Sequence, residues 1–151
     1  MYQNTVTIFN RYESQGEYIW YPHVIKNVDL VIDKGANIVK TGLESADSAK
    51  LHIKYHINDD GKMIGRFLWL SSKEWDSQTN DKLPTTITFT EGQDFFWKGE
   101  YSENAVNDVD YQTLKYNGFY DYMNQHYDNV FLITTVGGPY TLIPHFEIGG
   151  K

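Results

Sequence analysis

Leu51, Ile53, Tyr55 and Ile57 alternate with His52, Lys54 and His56, and this strict period of two places the apolar set on one face of a half-buried strand. The run enters Asn58-Asp59-Asp60-Gly61, where Asp-Gly tolerates positive φ, so a tight turn is predicted with Met63 to Leu70 returning antiparallel. β-Branched and aromatic residues over Thr5 to Phe9 and Tyr18 to Ile32, interrupted at Pro22 and Asn27, predict two or three strands with bends across these two segments together. A short strand is predicted to begin at Ile38 and Val39, followed by a polar loop from Gly42 to Ser48. Ser71 to Leu83 predicts a long loop enclosing at most one helical turn, Thr85 to Thr90 a strand, Glu91 to Asp94 a turn, and Phe95 to Tyr101 an aromatic strand.

One helical signal stands out. Between Asp110 and Asp128, Tyr116, Phe119, Tyr120, Met123 and Tyr127 recur at the spacing of one helix face. That predicts a single long helix, capped by Asn107 or Asp108 and stopped by a left-handed Asn129. Val130 to Val136 and Tyr140 to Ile148 predict a closing hairpin around Gly137-Gly138-Pro139. The fold class expected is mainly β with one long helix (α+β), in a single domain spanning 1–151, because 151 residues suit one hydrophobic core.

Charge narrows the functional classes. A formal charge of −7 disfavours tight nucleic-acid binding, which depends on Lys and Arg neutralising phosphates, while leaving room for DNA to pass nearby. Without Cys there is no disulfide, thiolate ligand or Cys nucleophile, and a reducing cytoplasm is the expected place of synthesis. Met1-Tyr2-Gln3-Asn4-Thr5 lacks signal-peptide character and no apolar stretch reaches spanning length, so neither secretion nor a membrane partner is expected.

His52 and His56 stand four apart, a metal-binding spacing on a helix but roughly 13 Å apart on a strand at about 3.3 Å per residue. Glu44 with Asp47, and Glu100 with Glu103, Asp108 and Asp110, are the candidate acid–base carboxylates, with Trp97 and Tyr101 as a stacking platform. Asp108 and Asp110 also have an ordinary place at a helix N-terminus. No phosphate loop or serine elbow occurs, and no cofactor, metal or catalytic residue is expected. Trp75, alone in a polar loop, is either tucked onto the domain or offered to a partner.

Thr141 to Lys151, Gly42 to Ala49, Thr7-Ile8-Phe9-Asn10, Trp20-Tyr21-Pro22 and Val28-Asp29-Leu30 resemble an uncharacterised group of small phage proteins from the structural module of tailed phages of Gram-positive bacteria. The group is similar to head-closure, or stopper, subunits of the head-to-tail connector, which implies a small antiparallel β-barrel or sandwich with long loops. It also implies a homo-oligomeric ring in the virion, contacting portal and adaptor proteins and a tail terminator or tail tube, with DNA passing through its channel. On that resemblance the inter-subunit or channel contacts would be Lys73, Trp75, Asp76, Trp97, Tyr101, His145, Phe146, Glu147 and Ile148. The rival expectation is an aromatic carbohydrate-binding module or tail-associated sugar binder.

Overall fold

The computed structural model describes residues 2–34, 47–79 and 81–151, so the expected strand at Ile38 and Val39, and Glu44, lie outside the described residues. The chain opens with a hairpin of β1 (Asn4–Ser14) and β2 (Glu17–Asp33) around Gln15 and Gly16. Both turn residues hold positive φ, 54° and 81°, as a two-residue loop matched to strand twist requires. These two segments form two strands, β1 and β2, the lower of the two numbers expected, and Pro22 and Asn27 interrupt β2 without ending it. Pro22 pairs with Phe9 inside the strand, and Asn27, at φ 61°, sits in a bulge where the register slips by one residue. The bulge bends β2 away from β1, so from Asp29 onward it pairs with β3 (Ser48–Lys54) instead.

The alternation read from Leu51 holds through Tyr55 and then breaks. Leu51, Ile53 and Tyr55 are buried, but Ile57 is exposed on β4 (His56–Asn58). Asn58 turns the chain by accepting hydrogen bonds from the backbone N–H groups of Asp60 and Gly61, and Gly61 takes φ 139°. The returning segment is also shorter than expected, because Gly65 and Arg66 form a second turn that splits it into β5 (Gly61–Ile64) and β6 (Phe67–Trp69). With β7 (Thr86–Ile87) these strands form a small separate sheet.

β8 (Phe95–Trp97), β10 (Val130–Tyr140) and β11 (His145–Gly150) complete the main sheet. Its order, β1-β8-β10-β11-β3-β2 with β2 returning to β1, closes a six-stranded antiparallel barrel, and β9 (Val106–Asn107) adds an extra strand on β2. Val6, Ile8, Leu51, Ile53, Phe96, Phe131, Phe146 and Ile148 fill the core cluster on its inner side. The closing hairpin turns later than expected, at Thr141 to Pro144, while Gly137 to Pro139 lie within β10 at an irregularity of register.

The expected long helix is absent. Asp108–Tyr111 is a 3-10 turn, and only α2 (Phe119–His126) is α-helical in this region. Gly118 breaks the run, because its φ of 139° and ψ of −173° lie outside helical space. Phe119 and Met123 still face inward, packing over Phe9, Trp20, Phe95 and Val130 in a second cluster. Asp108 joins the pieces: its carboxylate accepts from the Trp20 indole N–H at 2.9 Å, the Phe119 backbone N–H at 2.8 Å and the Gln112 amide at 3.1 Å. Asn129 does adopt positive φ, 63°, in the turn leading into β10.

α1 (Ser72–Asp76) is the single helical turn allowed for in the polar loop, closed by a capping box between Ser71 and Glu74. Its Trp75 is wholly buried against Tyr21 and Leu83 in a third cluster, and its indole N–H donates to the Arg11 carbonyl at 3.0 Å.

Candidate functional site

The nine residues expected at contacts do not form one surface. Trp75, Phe146 and Ile148 are buried in the chain's own clusters, which removes them as contact residues and corrects that expectation. Lys73 and Asp76 are exposed on α1. Trp97 is half-buried on β8, its ring 5.0 Å from Tyr127, and covers Gly99 so closely that a Cβ there would meet the indole at 2.5 Å.

Tyr101 belongs to an open groove of about 860 Å³. One wall is β2, through Tyr21, Val24 and Lys26, and the other is Glu100 to Ala105, with Arg66 and Phe67 between. β9 pairs with Ile19 and Trp20 and β3 begins pairing at Asp29, so among the described residues β1 is the only ladder partner of stretch 21–28. Lys26 and Glu100 approach to 3.9 Å with both side chains more than half exposed, a geometry worth little in water. Burial beside Tyr111 and Glu103 pushes the Tyr101 hydroxyl up to about 12, so it remains a neutral donor. Glu100 and Glu103 therefore share a groove, but its chemistry is that of an aromatic cleft with charged rims.

A second group lies on the outer barrel wall. Strand register aligns Asp29, His52 and Glu147 in a row across β2, β3 and β11. His52 stands 3.8 Å from Asp29 and 3.9 Å from Glu147, while His145 Nε2 is 2.9 Å from Glu147. The hydrogen bonds to Ile143 and Glu147 raise the His145 pKa, and His145 in turn lowers that of Glu147. His56 sits apart, exposed on β4. Among the described residues no group of three or more His, Asp or Glu side chains is arranged to hold a metal ion.

The third feature is the tip of the β10–β11 hairpin. Leu142 is 95% and Ile143 68% exposed, side by side at the turn. The tip is tied at its base, where the Tyr55 hydroxyl donates to the Tyr140 carbonyl at 2.6 Å and the Tyr55 backbone N–H donates to that of Pro144 at 3.3 Å.

Sequence reasoning passed over this tip because Leu142 and Ile143 sit in an apolar run that reads as strand. It also passed over two buried titratable groups. Asp94 accepts from Asn10 Nδ2 and the backbone N–H groups of Arg11 and Thr90, each at 2.9 Å, and burial still pushes its carboxyl up to about 7. His23, packed against Phe67 and Trp75, is pushed down to about 4 by burial, its Nε2 lying 3.2 Å from the Leu83 carbonyl. The signal available for Asp94 was its place at the end of a predicted turn; for His23 there was none beyond its strand.

Among known proteins, a family model described as a family of unknown function (DUF6751) matches residues 1–151. No curated protein and no solved structure matches the chain.

Proposed function

We propose that this chain, which belongs to the family of unknown function DUF6751 over residues 1–151, is a non-enzymatic ring subunit of a tailed-phage head-to-tail connector. The observation that carries the reading is the hairpin tip, where two adjacent aliphatic side chains stand in solvent on a tied-down base. Adjacent exposed aliphatic side chains at a turn suit a contact with another protein. The resemblance of Thr141 to Lys151 to small phage structural proteins falls on this same hairpin. A charge of −7 suits a conduit that lets DNA pass without retaining it. The neighbours in this reading are further copies, the portal and adaptor above, and the tail terminator or tube below.

The test is reconstitution with the cognate portal and adaptor followed by electron microscopy. A closed ring in the wild type, lost in Leu142→Ser/Ile143→Ser, is the expected result. No ring under any condition overturns the reading.

Sugar binding has its own supporting observation. Tyr127, whose ring packs 5.0 Å from the partly exposed Trp97, lines a polar pocket of about 410 Å³ together with Asn124, Asp128 and Lys151. Aromatic faces beside hydrogen-bonding groups suit a pyranose ring. Glycan-array binding abolished by Trp97→Ala would transfer the assignment to this site.

A further inference from the structure

His145 makes two contacts that one neutral imidazole cannot satisfy together. Its Nδ1 lies 2.6 Å from the Ile143 carbonyl oxygen and its Nε2 lies 2.9 Å from the Glu147 carboxylate. A carbonyl only accepts, and an ionised carboxylate only accepts, so each contact needs an N–H on the imidazole. Neutral histidine carries one N–H and the imidazolium carries two. Glu147 cannot reverse the roles by holding the proton, since its carboxyl is shifted downward and stays ionised near neutral pH.

The carbonyl concerned belongs to the exposed tip itself. Held from one side by Tyr55 and from the other by His145, the Thr141 to Pro144 turn is fixed at both flanks. We propose that His145 is a proton-operated clasp: as imidazolium it bridges Ile143 to Glu147 and orders the apolar tip, and as neutral imidazole it releases one contact and frees Leu142 and Ile143 to move.

The groups facing His145 fix the direction. On β11 Glu147 favours the cation. On β10 the Tyr140 ring lies nearly parallel at 4.9 Å, presenting a π face. On β3 Lys54 is its register partner and opposes the charge, but the Lys54 ammonium is drawn 4.2 Å over the Tyr2 ring. His52, with ring centroid 6.1 Å away, competes for Glu147 and is itself flanked by Asp29 on β2. The balance raises His145 above its ordinary 6.5, so the clasp is closed in mildly acidic solution and opens as pH rises through the raised value. The inference goes beyond the connector reading and stands on the isolated chain.

The test is NMR on the isolated chain. Long-range 1H–15N correlation of His145 should show two protonated ring nitrogens at pH 6 and one at pH 9, with a midpoint above 6.5. The heteronuclear NOE of Thr141 to Ile143 should fall across that same midpoint. Glu147→Gln should lower the midpoint, and His145→Gln should leave the tip mobile at both pH values with the rest of the spectrum unchanged. A neutral His145 at pH 6 overturns the clasp, as does a tip whose mobility ignores the titration. Because ring assembly is read separately by microscopy, failure of the clasp and failure of the connector role are distinguishable.

Discussion

Asp94 and His23 are both buried in the barrel region, and their protons work against each other. Asp94 has its carboxyl raised from 3.8 to about 7 by desolvation. Between pH 4 and 6.5 it is protonated when folded and ionised when unfolded, so its contribution is greatest below 3.8 and is lost as pH rises toward 7. His23, lowered from 6.5 to about 4 by burial, is neutral when folded and charged when unfolded across the same window. Its contribution is present above 6.5 and is lost as pH falls toward 4. One proton taken up and one released cancel, so wild-type stability should be nearly flat from pH 4 to 6.5, then drop by less than about 1 kcal/mol up to pH 7.

Removing one group exposes the other. Asp94→Asn should show stability rising with pH at about 1.4 kcal/mol per unit, or about 3 kcal/mol across the window, from His23 alone. His23→Gln, which keeps a donor for the Leu83 carbonyl, should show the opposite slope. Asp94→Asn also mismatches a donor against the N–H groups of Asn10, Arg11 or Thr90, costing roughly 1–3 kcal/mol at every pH. Hence slope, not level, is the measured quantity, read from urea midpoints at half-unit pH intervals. His145 titrates above the window, and the lowered carboxyls of Glu147 and Glu74 act only toward its acid end, so the slope is read between pH 5 and 6.5. A flat profile in Asp94→Asn between pH 5 and 6.5 would falsify the opposed-proton account.

Trp75→Ala should cost about 3–5 kcal/mol by chemical denaturation, since it empties a buried site and leaves the Arg11 carbonyl with only the longer hydrogen bond from the Gln93 amide, at 3.3 Å. Asp108→Ala strands the buried Trp20 and Phe119 N–H groups, predicting a loss on the order of 2–5 kcal/mol and faster amide exchange across Phe119 to Met123. Gly150→Ala should destabilise by about 1–3 kcal/mol, because the added Cβ would lie 2.9 Å from Phe96 and Phe131 atoms in the barrel core. Lys26→Ala, by contrast, should shift the thermal midpoint scarcely at all, as its partner Glu100 is well solvated.

Period-two patterning made the barrel walls readable in the sequence, and it failed wherever tertiary partners took over. Ile57 continues the alternation of β3 yet sits in solvent, because the chain leaves the barrel at Tyr55 to form its own small hairpin. The helical period from Tyr116 to Tyr127 marked the inward face correctly at Phe119 and Met123, but periodicity says nothing about where backbone dihedrals permit a helix to begin, and Gly118 decides that. Pro22 and Asn27 read as interruptions because propensity weighs them singly; in β2 a bulge at Asn27 supplies a bend, whereas Pro22 pairs with Phe9 inside the strand. Of the candidate site, the aromatic share of 16% pointed to contact surfaces without distinguishing Trp75, which is core, from Trp97, which is half-exposed. The row of Asp29, His52 and Glu147 was invisible because its members come from three strands far apart in sequence.

The seam between β1 and β8 joins Thr7 to Trp97 and Phe9 to Phe95, partners separated by most of the chain. The opening hairpin can zip on the microsecond scale, but wrapping the wall shut must await the loss of entropy in gathering strands that distant, which puts folding nearer milliseconds to seconds. Until then the flank of β1 that will meet β8 is an unpaired template for any neighbouring chain. Newly made copies crowded together are therefore at greatest risk of stray β-pairing before the seam is sewn, and a holding chaperone or dilute expression should raise the yield of soluble protein more than any stabilising change elsewhere.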